Sequence, residues 1–248
     1  MLTEERHAMI LEQVNSRSSV SLGELCALMN TSESTVRRDL AVLDQKGLLV
    51  KVRGGAISAG DRFSPAEQDM AEKAKLFNAE KAAIAQYAAQ LVEDGDFVFI
   101  DAGTTTEKLI DYLSAKDVTF VTNAFIHAKK LAQKGFRVFI PAGEIKLSTE
   151  AVVGAECVNS LSQYNFSKSF VGANGISLSG GVSTPDRNEA SVKSAVIARS
   201  KKVYILADHS KFDQTASVTF AGLNQVKIIT DRLRDKKYLS AASVKEVM

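Results

Sequence analysis

Six short runs of apolar, β-rich residues constrain the fold more than any other feature of this 248-residue chain. The runs are apolar on both faces, which is typical of strands buried in a parallel sheet. Helical patterns separate most of them, and such alternation predicts a layered α/β domain. The predicted strands cover residues 97–101, 118–122, 136–140, 168–173, 203–207 and 226–230. The predicted helices cover residues 78–92 and lie near residues 105–114, 124–134, 150–162 and 188–200.

The first 58 residues follow a different pattern, with three short helices and a hairpin. Ser21 begins the second helix, and Glu24 three residues later completes a capping box. Ser32 can cap the third helix, and Gly47 stands where a glycine commonly ends one. Residues 48–58 then predict two strands joined by a tight Arg-Gly-Gly turn. Two helices joined by a short turn and followed by a hairpin are typical of a winged helix-turn-helix.

A break in composition at residues 59–75 divides the chain. This segment contains Pro65, seven charged residues, and only Phe63 and Met70 as large apolar side chains, so it predicts a linker. We therefore expect a DNA-binding domain at residues 1–58, a linker at 59–75, and an effector-binding and oligomerisation domain at 76–248.

Charge and cysteine content exclude several classes of protein. The 31 basic and 29 acidic residues nearly cancel, which excludes a polybasic coat protein or an acidic tail. The two cysteines form no CxxC pair and the three histidines lie far apart, so we predict neither a disulfide framework nor a metal site. We expect no cofactor. Because the sequence shows no signal peptide and no long apolar stretch, we expect a cytoplasmic protein with no membrane partner.

The third helix and the hairpin carry the candidate DNA-binding residues. Five of the seven basic residues in the first 58 fall within residues 37–53, so positive charge is concentrated there. Hydroxyls can bond phosphates or base edges, and arginine can bond guanine O6 and N7 together. We also place Asp39 on the outward faces of the third helix. The alternative to a DNA-binding domain is a small helical module with an ordinary solvated charged face. The candidates are Ser32, Ser34, Thr35, Arg37, Arg38, Lys51 and Arg53.

Small polar residues follow several of the predicted strands and suggest a phosphate site. Glycine and hydroxyl residues between a strand and a helix form an anion cradle, and ligands of open α/β sheets bind beyond the carboxyl ends of strands. These residues also have interpretations that involve no ligand. Residues 103–106 can form a plain helix cap, and Glu189 and Lys193 can form a salt bridge within one helix. We expect Asp101 to hydrogen-bond sugar hydroxyls or to act as a capping group. The candidate effector-binding residues are Asp101, Gly103, Thr104, Thr105, Thr106, Asn123, Gly172, Asn174 and Lys211.

The motifs of the DNA-binding segment resemble the signature of the DeoR family of bacterial sugar-metabolism repressors. The resemblance is carried by residues 31–40 (TSESTVRRDL), 47–49 (GLL) and 53–56 (RGGA). The family commonly has Arg-x-His-Gly-Gly at the wing, whereas this chain has KVRGG at residues 51–55 and retains the charge.

Four further motifs extend the resemblance over essentially the whole chain: residues 101–106 (DAGTTT), 121–123 (VTN), 172–175 (GANG) and 207–212 (ADHSKF). They look like the effector domain of the same family, which is similar to ribose-5-phosphate isomerases. At the stretch where those isomerases have a catalytic lysine, residues 177–184 (SLSGGVST) contain none. The resemblance implies that the phosphate cradle is kept and the isomerase machinery lost.

Within the family, residues 147–154 (LSTEAVVG) and 183–186 (STPD) look most like the fructose-operon repressors of low-GC Gram-positive bacteria, which respond to fructose 1-phosphate. Repressors for tagatose or galactose phosphates share much of this pattern. The resemblance implies a repressor that binds operator DNA as a homodimer or homotetramer and is released by a phosphorylated sugar, and that is not an enzyme. Two rivals remain: a sugar-phosphate isomerase-like enzyme with a DNA-binding appendage, and a structural DNA-binding protein without an effector.

Overall fold

A computed structural model describes residues 3–17, 19–46, 48–58, 62–63, 73–74, 76–233 and 235–248. The chain divides into two compact units, Met1–Arg62 and Phe63–Met248. Most of the predicted linker at residues 59–75, and the predicted helix-ending Gly47, lie outside the described residues. None of the helices in the described residues is both long enough and apolar enough to cross a bilayer.

The first unit contains three helices and a small antiparallel sheet. The helices are α1 (Thr3–Arg17), α2 (Leu22–Met29) and α3 (Glu33–Gln45). The strands are β1 (Ser19–Ser21), β2 (Leu49–Val52) and β3 (Gly55–Ser58), in the order β1-β3-β2. A two-residue strand, β4 (Arg62–Phe63), lies at the boundary between the units. The winged helix-turn-helix predicted from the sequence is confirmed, and β1 is a strand that the sequence analysis missed.

Local sequence signals set the helix ends of this unit. The predicted capping box of α2 is present: the Ser21 hydroxyl accepts from the Glu24 amide at 3.2 Å, and the Glu24 carboxylate accepts from the Ser21 amide at 2.8 Å. Asn30 ends α2 in the left-handed conformation, and Ser32 caps α3. The apolar faces of all three helices bury residues such as Ile10, Leu25 and Leu40 in one core. Burial of this core, rather than any single cap, accounts for most of the unit's stability.

Glycine is required at the two positions of the wing for different physical reasons. Gly54 has φ +98°, a conformation that residues with a side chain rarely adopt. Gly55 pairs with Ser21, and a Cβ at Gly55 would lie 2.2 Å from the carbonyl oxygen of Val20. The Gly-Gly pair therefore permits both the tight turn and the close approach of β3 to β1.

The second unit is built on a parallel sheet of seven strands, in the order β17-β16-β13-β10-β5-β6-β7. All six strands predicted from the sequence occur in it, and the edge strand β17 was missed. The strands are β5 (Phe97–Ile100), β6 (Thr119–Thr122), β7 (Arg137–Phe139), β10 (Lys168–Gly172), β13 (Val203–Leu206), β16 (Lys227–Thr230) and β17 (Ser243–Glu246).

Helices flank the sheet and three short 3-10 turns connect its later strands. The helices are α4 (Asn78–Ala89), α5 (Thr104–Asp111), α6 (Phe125–Gln133), α7 (Ala155–Leu161) and α8 (Arg187–Ala198); the 3-10 turns are His209–Lys211, Leu223–Gln225 and Lys236–Ser240. Apolar residues such as Ile84, Phe120 and Phe170 form one core with α4 and α5, and Phe99, Val192 and Leu161 form another with α7 and α8. The layered α/β prediction is confirmed.

Short strands outside the parallel sheet complete the unit, and one of them corrects a prediction. They comprise β8 (Glu144–Lys146) paired with β9 (Ala151–Val153), the sheet β11-β12-β15 and the two-residue strand β14. Their remaining bounds are β11 (Gly175–Ser177), β12 (Gly181–Thr184), β14 (Gln214–Thr215) and β15 (Val218–Ala221). The helix predicted near residues 150–162 is wrong in its first part, because residues 151–153 form β9 and the helix begins only after Gly154, whose φ is +98°.

The order of the parallel strands contains one reversal of direction. From β5 the chain moves through β6 to β7 on one side, and it then returns to place β10, β13, β16 and β17 on the other side of β5. The reversal lies between β5 and β10, whose carboxyl ends point to the same edge of the sheet. Ligands of open α/β sheets bind in the crevice outside such a reversal point. The topology therefore places a candidate cleft beyond Ile100 and Gly172.

Candidate functional site

The predicted DNA-binding residues lie at the start of α3 and on the wing. Ser32 is the N-cap, and its hydroxyl lies 2.9 Å from that of Ser34 and 3.0 Å from that of Thr35. Ser32 and Ser34 are exposed and Thr35 is half-buried, while Arg37, Arg38, Lys51 and Arg53 are all exposed. The Arg37 guanidinium lies 3.2 Å from the carboxylate of Glu33, one turn earlier. The side chains proposed to meet DNA are thus accessible to it.

Asp39 does not lie on the outward face, and its predicted position is wrong. Its side chain is buried, with carboxylate oxygens 2.8 and 3.1 Å from the Arg6 guanidinium and 3.2 Å from His7 Nε2. Burial opposes ionisation, but the hydrogen bonds from Arg6 and His7 hold the pKa of Asp39 below its ordinary value. Asp39 therefore ties α1 to the back of α3 and leaves the two arginines before it facing outward.

A cleft opens at the predicted crevice, beyond the carboxyl ends of β5 and β10. Its lining includes seven of the nine predicted effector-binding residues: Gly103, Thr104, Thr105, Thr106, Gly172, Asn174 and Lys211. Its lining also includes residues that the sequence analysis did not choose as effector ligands, namely Lys73, Lys81, Thr149, Glu189, Lys193 and Asp208.

The loop between β5 and α5 presents the start of a helix to this cleft. Gly103 is the N-cap of α5 and supplies no side chain to bond the first amides of the helix. The hydroxyl of Thr106 is turned inward, 2.7 Å from the Asp101 carbonyl oxygen and 2.8 Å from that of Gly103. The backbone N–H groups at the start of α5, with the positive end of the helix dipole, are therefore available to an anion in the cleft.

Three lysines surround this helix start. Lys211 lies in the 3-10 turn after β13, and within the described part of the chain its ammonium has no hydrogen-bond or ion-pair partner. Lys73 also contributes to the lining, and its carbonyl oxygen accepts a hydrogen bond from the ammonium of Lys81. Ammonium groups around an uncapped helix start form a site that favours phosphate.

Lys81 is the functional candidate that the sequence analysis overlooked. It lies on α4 and is only 4% exposed. Burial lowers its pKa to about 8, with Lys211, Lys108 and Lys73 lowering it further and Asp208 opposing them. The signal was present in the sequence: residue 81 falls three and seven residues before Ile84 and Ala88, on the apolar face of the helix. Because lysine is almost never fully buried unless it is paired, a lysine on this face indicates a specific contact.

Asp101 and Asn123 lie beneath the cleft rather than in its lining. The Asp101 carboxylate accepts hydrogen bonds from the Lys193 ammonium and, at 2.9 Å, from the Gly172 amide. The Asn123 side chain accepts from the Ala102 amide at 3.1 Å and donates to the Val152 carbonyl at 3.3 Å. Both side chains are at most 2% exposed. They brace the loop, so the geometry does not favour the sugar contacts predicted for them.

Glu189 forms a second polar group in the cleft. Its carboxylate accepts from Thr149 at 2.8 Å, from Thr184 at 3.3 Å and from Lys146 at 3.2 Å. Burial opposes ionisation, but Lys193, Thr149 and Lys146 hold the pKa of Glu189 below its ordinary value, so the group is anionic near neutral pH. The interpretation of Glu189 and Lys193 as a mutual salt bridge is wrong, because Lys193 bonds Asp101 instead.

A buried histidine–carboxylate pair holds the turn that carries Lys211. Asp231 accepts from His209 Nδ1 at 2.6 Å and from the His209 amide at 2.7 Å, and the Phe77 ring packs edge-on against the imidazole at 5.1 Å. Glu80 brings a third metal-ligating side chain close to this pair. Because both Asp231 oxygens already bond His209, the pair acts as an anchor for the turn.

Comparisons with known proteins agree with both halves of this description. A model of the DeoR-like helix-turn-helix domain matches residues 6–62, and a model of the DeoR C-terminal sensor domain matches residues 77–232. A Bacillus subtilis (strain 168) protein, described as the uncharacterized HTH-type transcriptional regulator FruR, is 41% identical over 93% of this chain and 91% of its own.

Two further comparisons are more distant. A lactose phosphotransferase system repressor of Staphylococcus epidermidis is 37% identical to this chain over 90% of it and 89% of its own length. Among solved structures, ribose 5-phosphate isomerase A of Methanocaldococcus jannaschii is 17% identical, covers 53% of each chain and has a TM-score of 0.38.

Proposed function

The chain belongs to the DeoR family of transcriptional regulators, and on that premise we propose that it represses a sugar-utilisation operon and is released from operator DNA by a phosphorylated sugar. Its relatives are named as transcriptional regulators and repressors, so the chain is a regulator and not an enzyme. The observation that carries the proposal is the cleft at the sheet reversal, where an uncapped helix start meets lysines in a chain that also has a DNA-binding fold.

The phosphate of the effector binds at the end of the cleft formed by the amides of Thr104 and Thr105, Lys81 and Lys211. A phosphate monoester carries nearly two negative charges at neutral pH, and both the helix start and the two ammonium groups favour it. The inward-turned Thr106 hydroxyl supports the loop instead of contacting the ligand. This assignment keeps four of the predicted residues, Gly103, Thr104, Thr105 and Lys211, and adds Lys81.

The sugar hydroxyls bind at the Glu189 end of the cleft. Glu189 supplies a carboxylate acceptor and Asn174 an amide, and both residues line the cleft. Thr149 and Thr184, which bond Glu189, belong to the two motifs that resemble the fructose-operon repressors. Because those motifs shape the carboxylate that meets the sugar, fructose 1-phosphate is the proposed effector.

A thermal-shift screen of sugar phosphates tests the proposed sensor. A ligand at 100 times its dissociation constant adds about 2.7 kcal/mol to the free energy of unfolding. We expect fructose 1-phosphate to raise the unfolding temperature more than fructose 6-phosphate, tagatose phosphates or ribose 5-phosphate do. A larger shift with another sugar would replace the proposed effector, and no shift with any of them would reject the sensor.

Ligand binding in the cleft changes DNA binding through the connector between the two units, which is the predicted linker at residues 59–75. The Lys81 ammonium bonds the carbonyl oxygen of Lys73, which belongs to the predicted linker. A phosphate in the cleft competes for that ammonium, so binding changes how the end of the connector is held. Since a single winged module binds DNA weakly, we propose that a homodimer or homotetramer places two modules on half-sites about one helical turn, or a multiple of it, apart.

Alanine at Arg37 or Arg38 is expected to weaken operator binding and to leave sugar-phosphate binding unchanged. The two side chains point about 100° apart on α3, so one contacts bases and the other phosphates. Loss of the base-contacting arginine should cost about 1–3 kcal/mol and relax specificity at one base pair. Gel shifts on an operator selected from random duplexes measure both effects, with Lys201→Ala, an exposed lysine of the second unit, as the control. Wild-type binding by both arginine variants would refute the assignment of α3.

Binding of the sugar phosphate is expected to take up a proton above pH 8. The pKa of Lys81 is about 8 in the free protein, so the side chain becomes largely neutral as the pH rises past that value. A bound phosphate favours the ammonium form and raises this pKa, which gives an uptake of up to about one proton per ligand between pH 8 and about 10. Calorimetry at pH 9 in two buffers of different ionisation enthalpy measures it. The Lys81→Met variant should show no uptake, and heats that do not depend on the buffer in the wild type would contradict the role of Lys81.

A further inference from the structure

A buried histidine lies directly behind the loop proposed to hold phosphate. His127, on α6, is 2% exposed, and its Nε2 atom lies 3.2 Å from the Gly103 carbonyl oxygen and 3.3 Å from the Thr106 hydroxyl. Its other ring nitrogen, Nδ1, is buried and has no hydrogen-bond partner among the residues that the structure describes. The side chain therefore contacts the loop with one nitrogen only.

The hydrogen bonds around His127 determine which nitrogen carries its proton. Burial lowers its pKa to about 4, so the imidazole is neutral at physiological pH and has a single N–H. The Gly103 carbonyl can only accept, and the Thr106 hydroxyl already donates to the Asp101 and Gly103 carbonyls. Nε2 must therefore be the donor, and Nδ1 is an acceptor left without a donor.

We propose that His127 is a positioning residue of the sugar-phosphate site, which holds the carbonyl of Gly103 and the hydroxyl of Thr106 so that the amides at the start of α5 face the cleft. The inference rests on the proposed function, because it assigns a role only if this loop binds the effector's phosphate. His127 itself lies behind the loop and does not touch the ligand.

Packing alone does not explain a histidine at this position. An unpartnered buried acceptor costs stability, whereas an apolar side chain of similar size would fill the same space without that cost. The benefit must come from the Nε2–H donor. Gly103 has no side chain with which to cap α5, and a Cβ there would lie only 3.1 Å from the Thr106 hydroxyl. A capping side chain at this position would crowd that hydroxyl, and His127 contacts both groups from behind the loop instead.

The positioning role predicts opposite effects on stability and on binding. In the full-length protein, His127→Leu should unfold at the same temperature as the wild type or higher, because it removes the unpartnered nitrogen. Its affinity for fructose 1-phosphate should nevertheless fall about tenfold, the order of magnitude of one lost hydrogen bond. His127→Gln can place an N–H near the position of Nε2, so it should recover most of the affinity. If His127 were purely structural, His127→Leu should unfold at a lower temperature than the wild type, and His127→Gln should recover none of the lost affinity.

Calorimetry with fructose 1-phosphate and thermal unfolding of the three proteins decide the matter. Wild-type affinity in His127→Leu would overturn the proposal. If the wild type binds no sugar phosphate, the proposed function fails, and hydrogen exchange of the amides at residues 103–106 then tests the positioning itself. Faster exchange at these amides in His127→Leu but not in His127→Gln would support it, and equal exchange in all three proteins would overturn it.

Discussion

Replacing Lys211 by alanine is expected to weaken sugar-phosphate binding by about 10–150-fold, which corresponds to about 1.5–3 kcal/mol for a charge-assisted hydrogen bond. The effect is large because the Lys211 ammonium has no protein partner within the described residues, so its charge is available to the ligand. The turn that carries it is held by the His209–Asp231 pair rather than by Lys211 itself. The variant should therefore keep its fold and its affinity for operator DNA in the absence of sugar.

Calorimetry of Lys211→Ala against the wild type measures this loss, and Lys201→Ala is a matched control. Lys201 is an exposed lysine just before β13, at the opposite edge of the sheet from the cleft. Its removal changes the net charge equally and should leave affinity unchanged. Equal loss in both variants would indicate a general effect of charge, and unchanged affinity in Lys211→Ala would remove this lysine from the site.

The second large effect is expected on DNA: the sugar phosphate should lower operator affinity by about 5–150-fold, the usual range of allosteric coupling. A ligand can shift an equilibrium between two arrangements only by its difference in affinity for them. In the proposed mechanism, the phosphate competes for the Lys81 ammonium that bonds the Lys73 carbonyl, and this changes how residue 73 of the predicted linker is held. By thermodynamic reciprocity, operator DNA should weaken sugar-phosphate binding by the same factor.

The fold was predictable from the sequence where side chains are buried on both faces. Strands such as β5 and β13 are continuous apolar runs, and the cap at Ser21 is a local signal that the structure confirms. Elements that are strands only because of their pairing partners were missed. β8 and β17 are mostly exposed and have no apolar run, and their pairing with β9 and β16 decides that they are strands.

The candidate cleft was predictable in position but not in detail. Polar residues after β5, β10 and β13 pointed to one edge of the sheet, and the family resemblance drawn from these motifs is confirmed by the match to the DeoR sensor domain. The roles of single side chains depend on contacts across more than 20 residues of chain. Asp101 bonds Lys193, and Asp39 bonds Arg6, so both turn inward, and no spacing rule in the sequence shows this.

Titration of fructose 1-phosphate into the full-length protein bound to its operator tests the central claim most directly. Fluorescence anisotropy of labelled operator DNA should fall as the sugar is added, with fructose 6-phosphate and tagatose phosphates less effective. Lys211→Ala should need about 10–150 times more fructose 1-phosphate for the same release. Release by a different sugar phosphate alone would correct only the identity of the effector. If no sugar phosphate changes operator binding, the chain is not the sugar-phosphate-controlled repressor proposed for it.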